Sequence, residues 1–145
     1  MTAATFTVPG LPRPQGSKKA VTRGGKTVLI ETAAGLSDWR TAVARAAATE
    51  RERLGGRLLG PLSLTVVFTF PMPPSRGPKA RAAGIGWKTT TPDLDKLVRA
   101  VGDALKVSGL IEDDARLAAI HASKIETVGA LAGVAVDVHE ITVAP

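Results

Sequence analysis

Four aspartates and the spacing between them carry the chemistry this sequence could perform. Thr90-Thr91-Pro92-Asp93-Leu94-Asp95-Lys96-Leu97-Val98-Arg99 sets two of them two residues apart, and Glu112-Asp113-Asp114 follows about twenty residues on. Carboxylates that converge from two segments can hold one or two hard cations, which keep several waters and bind phosphate oxygens directly. Such a cation activates a water and offsets the charge that builds on a phosphate under attack. The chain has no cysteine and two histidines, so a bound metal would take oxygen ligands, and that points to magnesium or manganese. Residues i and i+2 share one side of an extended segment. Pro92 biases Thr91 away from helical geometry, and aspartate is a good N-cap. The sequence therefore predicts an extended lead-in that turns into a helix at Lys96, with Asp95 as cap and both carboxylates facing one place.

Two cations could join them. In a strand beginning near Asp114, Lys124 shares its parity, and Arg99 lies one helical turn beyond Asp95. Asp95, Arg99 and Asp103 are spaced four apart. An i,i+4 ion-pair ladder and an arginine turned to a phosphate both fit that spacing.

The charge distribution fits a polyanion beside such a site. The net charge is +6, and residues 1–30 and 71–92 carry cations without a single acid. Arg13, Lys18, Lys19, Arg76, Lys79, Lys88 and Lys96 are the candidate phosphate contacts. The alternative is that these cations merely solvate loops.

The positioning elements follow from periodicity. A chain of 145 residues predicts one domain. There is no apolar run long enough to span a membrane, and Met1 to Gly10 lacks the features of a secretion signal, so an intracellular protein is expected. Strands are predicted at Thr5–Val8 and Thr27–Glu31, with Gly24-Gly25 as the turn before the second. A helix is predicted from a Ser37 cap to Gly55-Gly56, with Trp39, Ala42, Val43 and Ala46 on its core face and its arginines in solvent. Leu62 to Phe70 alternates as a half-buried strand, and Pro71 ends it. The twenty-one residues from Pro71 to Thr91 predict a long basic loop, in which Trp87 either stacks on a base or pins the loop to the body. A helix over 96–107 stops at Gly109. Leu117–Thr127 and Val134–Val138 predict the last strands, with a bulge at Glu140-Ile141, and His121 and His139 are expected to be structural. The sum is an α+β domain: a small mixed sheet with two main helices packed on it.

Pro92-Asp93-Leu94-Asp95-Lys96-Leu97, Asp103-Ala104-Leu105, Gly109-Leu110-Ile111-Glu112-Asp113-Asp114-Ala115 and Lys124 together closely resemble the RusA family of Holliday-junction resolvases. Val8-Pro9-Gly10 to Pro14-Gln15-Gly16-Ser17-Lys18 is similar to the amino end of its phage-type members. The resemblance implies a magnesium-dependent endonuclease that acts as a homodimer on four-way DNA junctions and makes two symmetric nicks. It gives Asp93, Asp95 and Asp114 the metal-binding acid positions, with Asp113 beside them. Lys96 stands where the family commonly has asparagine, and Arg99 where it commonly has lysine. Arginine keeps the phosphate contact but is a poorer proton donor, which leaves Lys124 or a metal-bound water to protonate the leaving oxygen.

Two other classes compete with this reading. A non-catalytic junction-binding protein would use the acids only to cap a helix, whereas juxtaposed carboxylates repel unless a cation holds them. A phosphohydrolase of small esters would not need long basic loops.

Overall fold

The computed structural model describes residues 2–16, 18–31 and 35–143. The alternation in Leu62–Phe70 builds the centre of the fold. Strand β4 (Leu62–Pro71) turns Leu62, Leu64, Val66, Phe68 and Phe70 to the core, and all five are buried. Around it lies a mixed five-stranded sheet in the order β1-β7-β4-β6-β5. Its other strands are β1 (Ala3–Pro9), β5 (Ile85–Trp87), β6 (Leu117–Thr127) and β7 (Gly133–Glu140). Among the described strands only the β4–β6 pair is parallel, with Phe68 opposite Lys124 and Phe70 opposite Glu126. β2 (Lys18–Arg23) and β3 (Lys26–Glu31) form a separate hairpin across the Gly24-Gly25 turn.

Two long helices cover one face of the sheet, because each presents an apolar stripe at helical spacing. Helix α1 (Leu36–Leu54) buries Leu36, Trp39, Val43 and Ala47, and Ala42 and Ala46 pack beside them. Helix α3 (Leu94–Ser108) buries Leu97, Ala100, Val101, Ala104 and Leu105 against α1 and the sheet. It ends, as expected, where Gly109 adopts φ 79° and its N–H returns to the Lys106 carbonyl. Among the described residues no helix is long and apolar enough to cross a membrane.

Several expectations need correction. Lys18–Arg23, where the sequence predicts no strand, is one, and it is the partner that the Gly24-Gly25 turn requires. The Pro71–Thr91 connection is not irregular throughout: it holds the short helix α2 (Pro78–Ala83) and β5, which adds to the sheet edge. Glu140-Ile141 is not a bulge. β7 ends there, and the Ile141 N–H bonds the Pro61 carbonyl at 3.0 Å. The register shift in the sheet lies instead between Leu62 and Ser63, where β4 meets β6. Not all of the arginines of α1 are free in solvent. Arg53 pairs with Glu50 at 2.8 Å, and Arg40 bonds the Gln15 amide oxygen at 3.2 Å. His139 contacts Asp137 at 2.9 Å on the sheet face away from the helices, and Asp137 also accepts from the Thr5 hydroxyl.

Candidate active site along helix α3

The acids begin where α3 begins. Asp93 is extended, with φ −68° and ψ 136°, yet its carbonyl already accepts the Leu97 N–H at 3.1 Å. The helix therefore starts at Leu94, two residues before the expected Lys96, because Leu94 already packs on the core and winds with the stripe behind it. Asp93, not Asp95, occupies the cap position. Its carboxylate makes no capping bond and faces the Lys96 ammonium at 3.6 Å. Asp95 lies inside the first turn, where negative charge suits the positive end of the helix. The parity expected of an extended Asp93–Asp95 pair does not exist, since the second residue is helical.

The other pair follows the end of α3. Leu110 and Ile111 are fully buried and fix the turn. Asp113 then accepts the Ala115 N–H at 3.2 Å and caps a single 3-10 turn, Asp114–Arg116. The two neighbouring carboxyls share a hydrogen bond. That bond holds Asp113 below the usual carboxylate range, helped by the Ala115 N–H and Lys106. It pushes Asp114 up, together with burial and the negative charges of Asp113 and Asp103. Lys106 opposes that rise and stands 3.8 Å from Asp113.

Asp114 rests against α3 at Gly102, where an added Cβ would lie 3.9 Å from the Asp114 Cβ. Gly102 is two helical turns from Asp95, roughly 10 Å along the axis. The acids are thus strung along α3 rather than gathered at a point. Among the described residues no three carboxylates or imidazoles group closely enough to hold a metal ion. Between the two ends stands Arg99, exposed and without an ion pair among the described residues. The Asp95–Arg99–Asp103 ladder does not form, and Asp103 instead lies 4.0 Å from Arg40. Carboxylates set in pairs fit a hard dication that takes one or two of them and several waters rather than an all-protein cage.

The expected cations divide into two groups. Lys124 donates to two backbone carbonyls, Thr90 and Pro92, each at 2.6 Å. Arg76 gives its guanidinium to Glu126 at 2.6 and 3.2 Å. Both are engaged inside the protein. Arg13 and Lys88 line a cavity of about 300 Å³ with Pro12, Phe70 and Pro92, and among the described residues no carboxylate faces it. Lys88 also reaches the Thr90 hydroxyl at 3.0 Å and lies 5.0 Å over the Phe70 ring. Lys79 is exposed on α2, and the side chains of Lys18 and Lys19 lie outside the described residues. Trp87 does not pin the connection, for the residue is 74% exposed.

Sequence reasoning missed three neighbours. Lys106 and Gly102 lie on the stripe that Asp95 and Arg99 begin, so helical spacing could have found them. Gln15 had no such signal. Its N–H bonds the Lys96 carbonyl at 3.0 Å and fastens the amino-terminal loop beside the first turn of α3.

The family model described as endodeoxyribonuclease RusA matches residues 9–139. No curated protein matches the chain.

Proposed function

The chain belongs to the RusA endodeoxyribonuclease family, a family of nucleases that resolve Holliday junctions, and from that premise we propose that it cuts four-way DNA junctions by magnesium-dependent phosphodiester hydrolysis. The observation that carries the proposal is the line of acids along α3, with an arginine between its ends that is unpaired among the described residues. Asp93 and Asp95 at one end, or Asp114 with Asp113 at the other, are the residues that would hold a cation. When bound, a hard dication supplies an activated water and neutralises charge on the phosphate.

The remaining work falls to the chain itself. Arg99 is planar and permanently charged, and it can hold two non-bridging phosphate oxygens at once. Held between the acids, it orients the scissile phosphate along α3. Arg13, Lys79, Lys88, Lys96 and, on the hairpin, Lys18 and Lys19 grip the flanking backbone and bring the junction to that line. Arg76 stands apart from this group, because its charge is spent on Glu126.

Paired nicks in a symmetric junction call for two such sites related by a twofold axis, and a homodimer supplies them. The outer edge of β6 from Leu117 to Ser123, unpaired among the described residues, supports a second copy pairing there. The protein would act inside the cell, where its DNA substrate is.

The test is nicking of a synthetic four-way junction against linear duplex, with and without magnesium, for wild type and Asp95→Asn. Paired cuts in the junction alone, dependent on magnesium and lost in the variant, are expected. Tight junction binding without cuts would overturn the catalytic reading.

A further inference from the structure

Lys124 belongs to β6, opposite Phe68, so its side chain rises on the face covered by the helices. There it meets no carboxylate within ion-pairing distance among the described residues. Its ammonium lies instead between the carbonyl oxygens of Thr90 and Pro92, 2.6 Å from each. Hydrogen bonds from a charged donor are shorter and about twice as strong as neutral ones. The main chain of the same residue holds the same segment, since the Lys124 carbonyl accepts the Lys88 N–H at 3.1 Å. Two residues along β6, on the same face, the buried Glu126 takes Arg76 from the start of the connection. Lys124 and Glu126 thus fasten the two ends of Pro71–Pro92 to one strand.

The end that Lys124 fastens leads into the site. Pro92 precedes Asp93, whose carbonyl closes the first turn of α3 and whose successors include Asp95. We propose that Lys124 is a positioning residue that fixes the start of α3, and with it Asp93 and Asp95, rather than the donor of a proton to the leaving oxygen. The assignment deepens the endonuclease reading and rests on it. Two of the three ammonium protons are committed to the backbone, and the clamp needs a cation with two donors, not an acid.

Lysine and arginine separate these roles. Arginine can bond two carbonyls but does not give up its proton in proteins, and methionine keeps the stem without the charge. Junction cleavage would be followed under single-turnover conditions for wild type, Lys124→Arg and Lys124→Met. Hydrogen exchange would be followed in peptides covering residues 88–97. The expected result is a loss of rate of about a hundredfold in Lys124→Met at nearly unchanged junction affinity, as misplacement by an ångström can cause. Substantial rescue is expected in Lys124→Arg, and exchange should be faster in Lys124→Met alone.

Lys124→Arg as inactive as Lys124→Met, with exchange at the wild-type rate in both, would make Lys124 the proton donor and overturn the proposal. Full activity in Lys124→Met would overturn it as well. If arginine does not fit and exchange rises in both variants, the clamp stands as one specific to lysine. If the wild-type protein cuts no junction, the endonuclease reading falls and exchange alone decides: faster in Lys124→Met upholds the clamp, unchanged refutes it.

Discussion

At Arg99 a single guanidinium stands in a row of carboxylates, unpaired among the described residues and so open to a phosphate. Replacing it with alanine should slow junction nicking by roughly 10²–10³-fold, the usual effect of removing one preorganised contact to developing charge. Junction affinity should hold if the other proposed phosphate contacts carry it; single-turnover rates and anisotropy titrations on the same variant would check both. Arg76 makes the opposite case. Its hydrogen bond, aided by its charge, holds the buried Glu126 below the ordinary value of 4.5, against the desolvation that pushes it up. A carboxylate with a lowered folded pKa contributes stability above its unfolded value, and that contribution drains away as pH falls through the folded one. Arg76→Ala should therefore lower Tm most near neutrality, with the gap to wild type closing in acid below the ordinary carboxylate range. Calorimetry across that range would show it. Residue types and spacing brought Asp93, Asp95, Asp114 and Arg99 forward as candidates. They did not reveal that Lys124 and Arg76 are occupied, since the carbonyls of Thr90 and Pro92 and the carboxylate of Glu126 reach them only through tertiary contact.

At the scale of elements, β4 and β6 were legible to the residue at most of their ends, because alternation in one is broken only at Val67 and Gly and Asp turns bound the other. The start of α3 was not. Local rules favoured Asp95 as cap, and the packing of Leu94 on the core overrode them. Leu97 anchors that first turn and is fully buried. Leu97→Ala should cost about 2–5 kcal/mol in urea unfolding and loosen the acids above it. A second weak point lies across the sheet at Gly133, where an added Cβ would run into the Val8 carbonyl. The obstacle is backbone, so no side-chain rotation relieves it. Gly133→Ala should cost about 1–3 kcal/mol by forcing β1 away from β7, with amide exchange of β1 rising first.

Over the whole molecule, the α+β class was readable from the order of its periodic segments, but strand order was not. Periodicity says which face is buried and nothing about which neighbour sits beside it; the parallel β4–β6 pair came only with the structure. Charge was readable in sum and misleading in detail. Among two segments rich in cations, the structure leaves Arg13 beside an uncompensated cavity and closes Arg76 into an ion pair. Arg13→Ala should reduce the dependence of log affinity on log salt by roughly 0.9, the counterion release of one phosphate contact, while Arg76→Ala leaves that slope unchanged.

The pairing of Leu62 with Leu117 also sets an order of events as the chain folds. Every residue of α2, β5 and α3 lies between these two strands, so β6 can zip onto β4 only after a long stretch of chain has closed on itself. Helical turns can form before that closure, whereas the contacts of Lys124 with Thr90 and Pro92 wait on their own loop of 32–34 residues. On refolding from denaturant, far-ultraviolet ellipticity should therefore recover ahead of competence to nick a junction. The last part of the molecule to become native would be the seat of its acids.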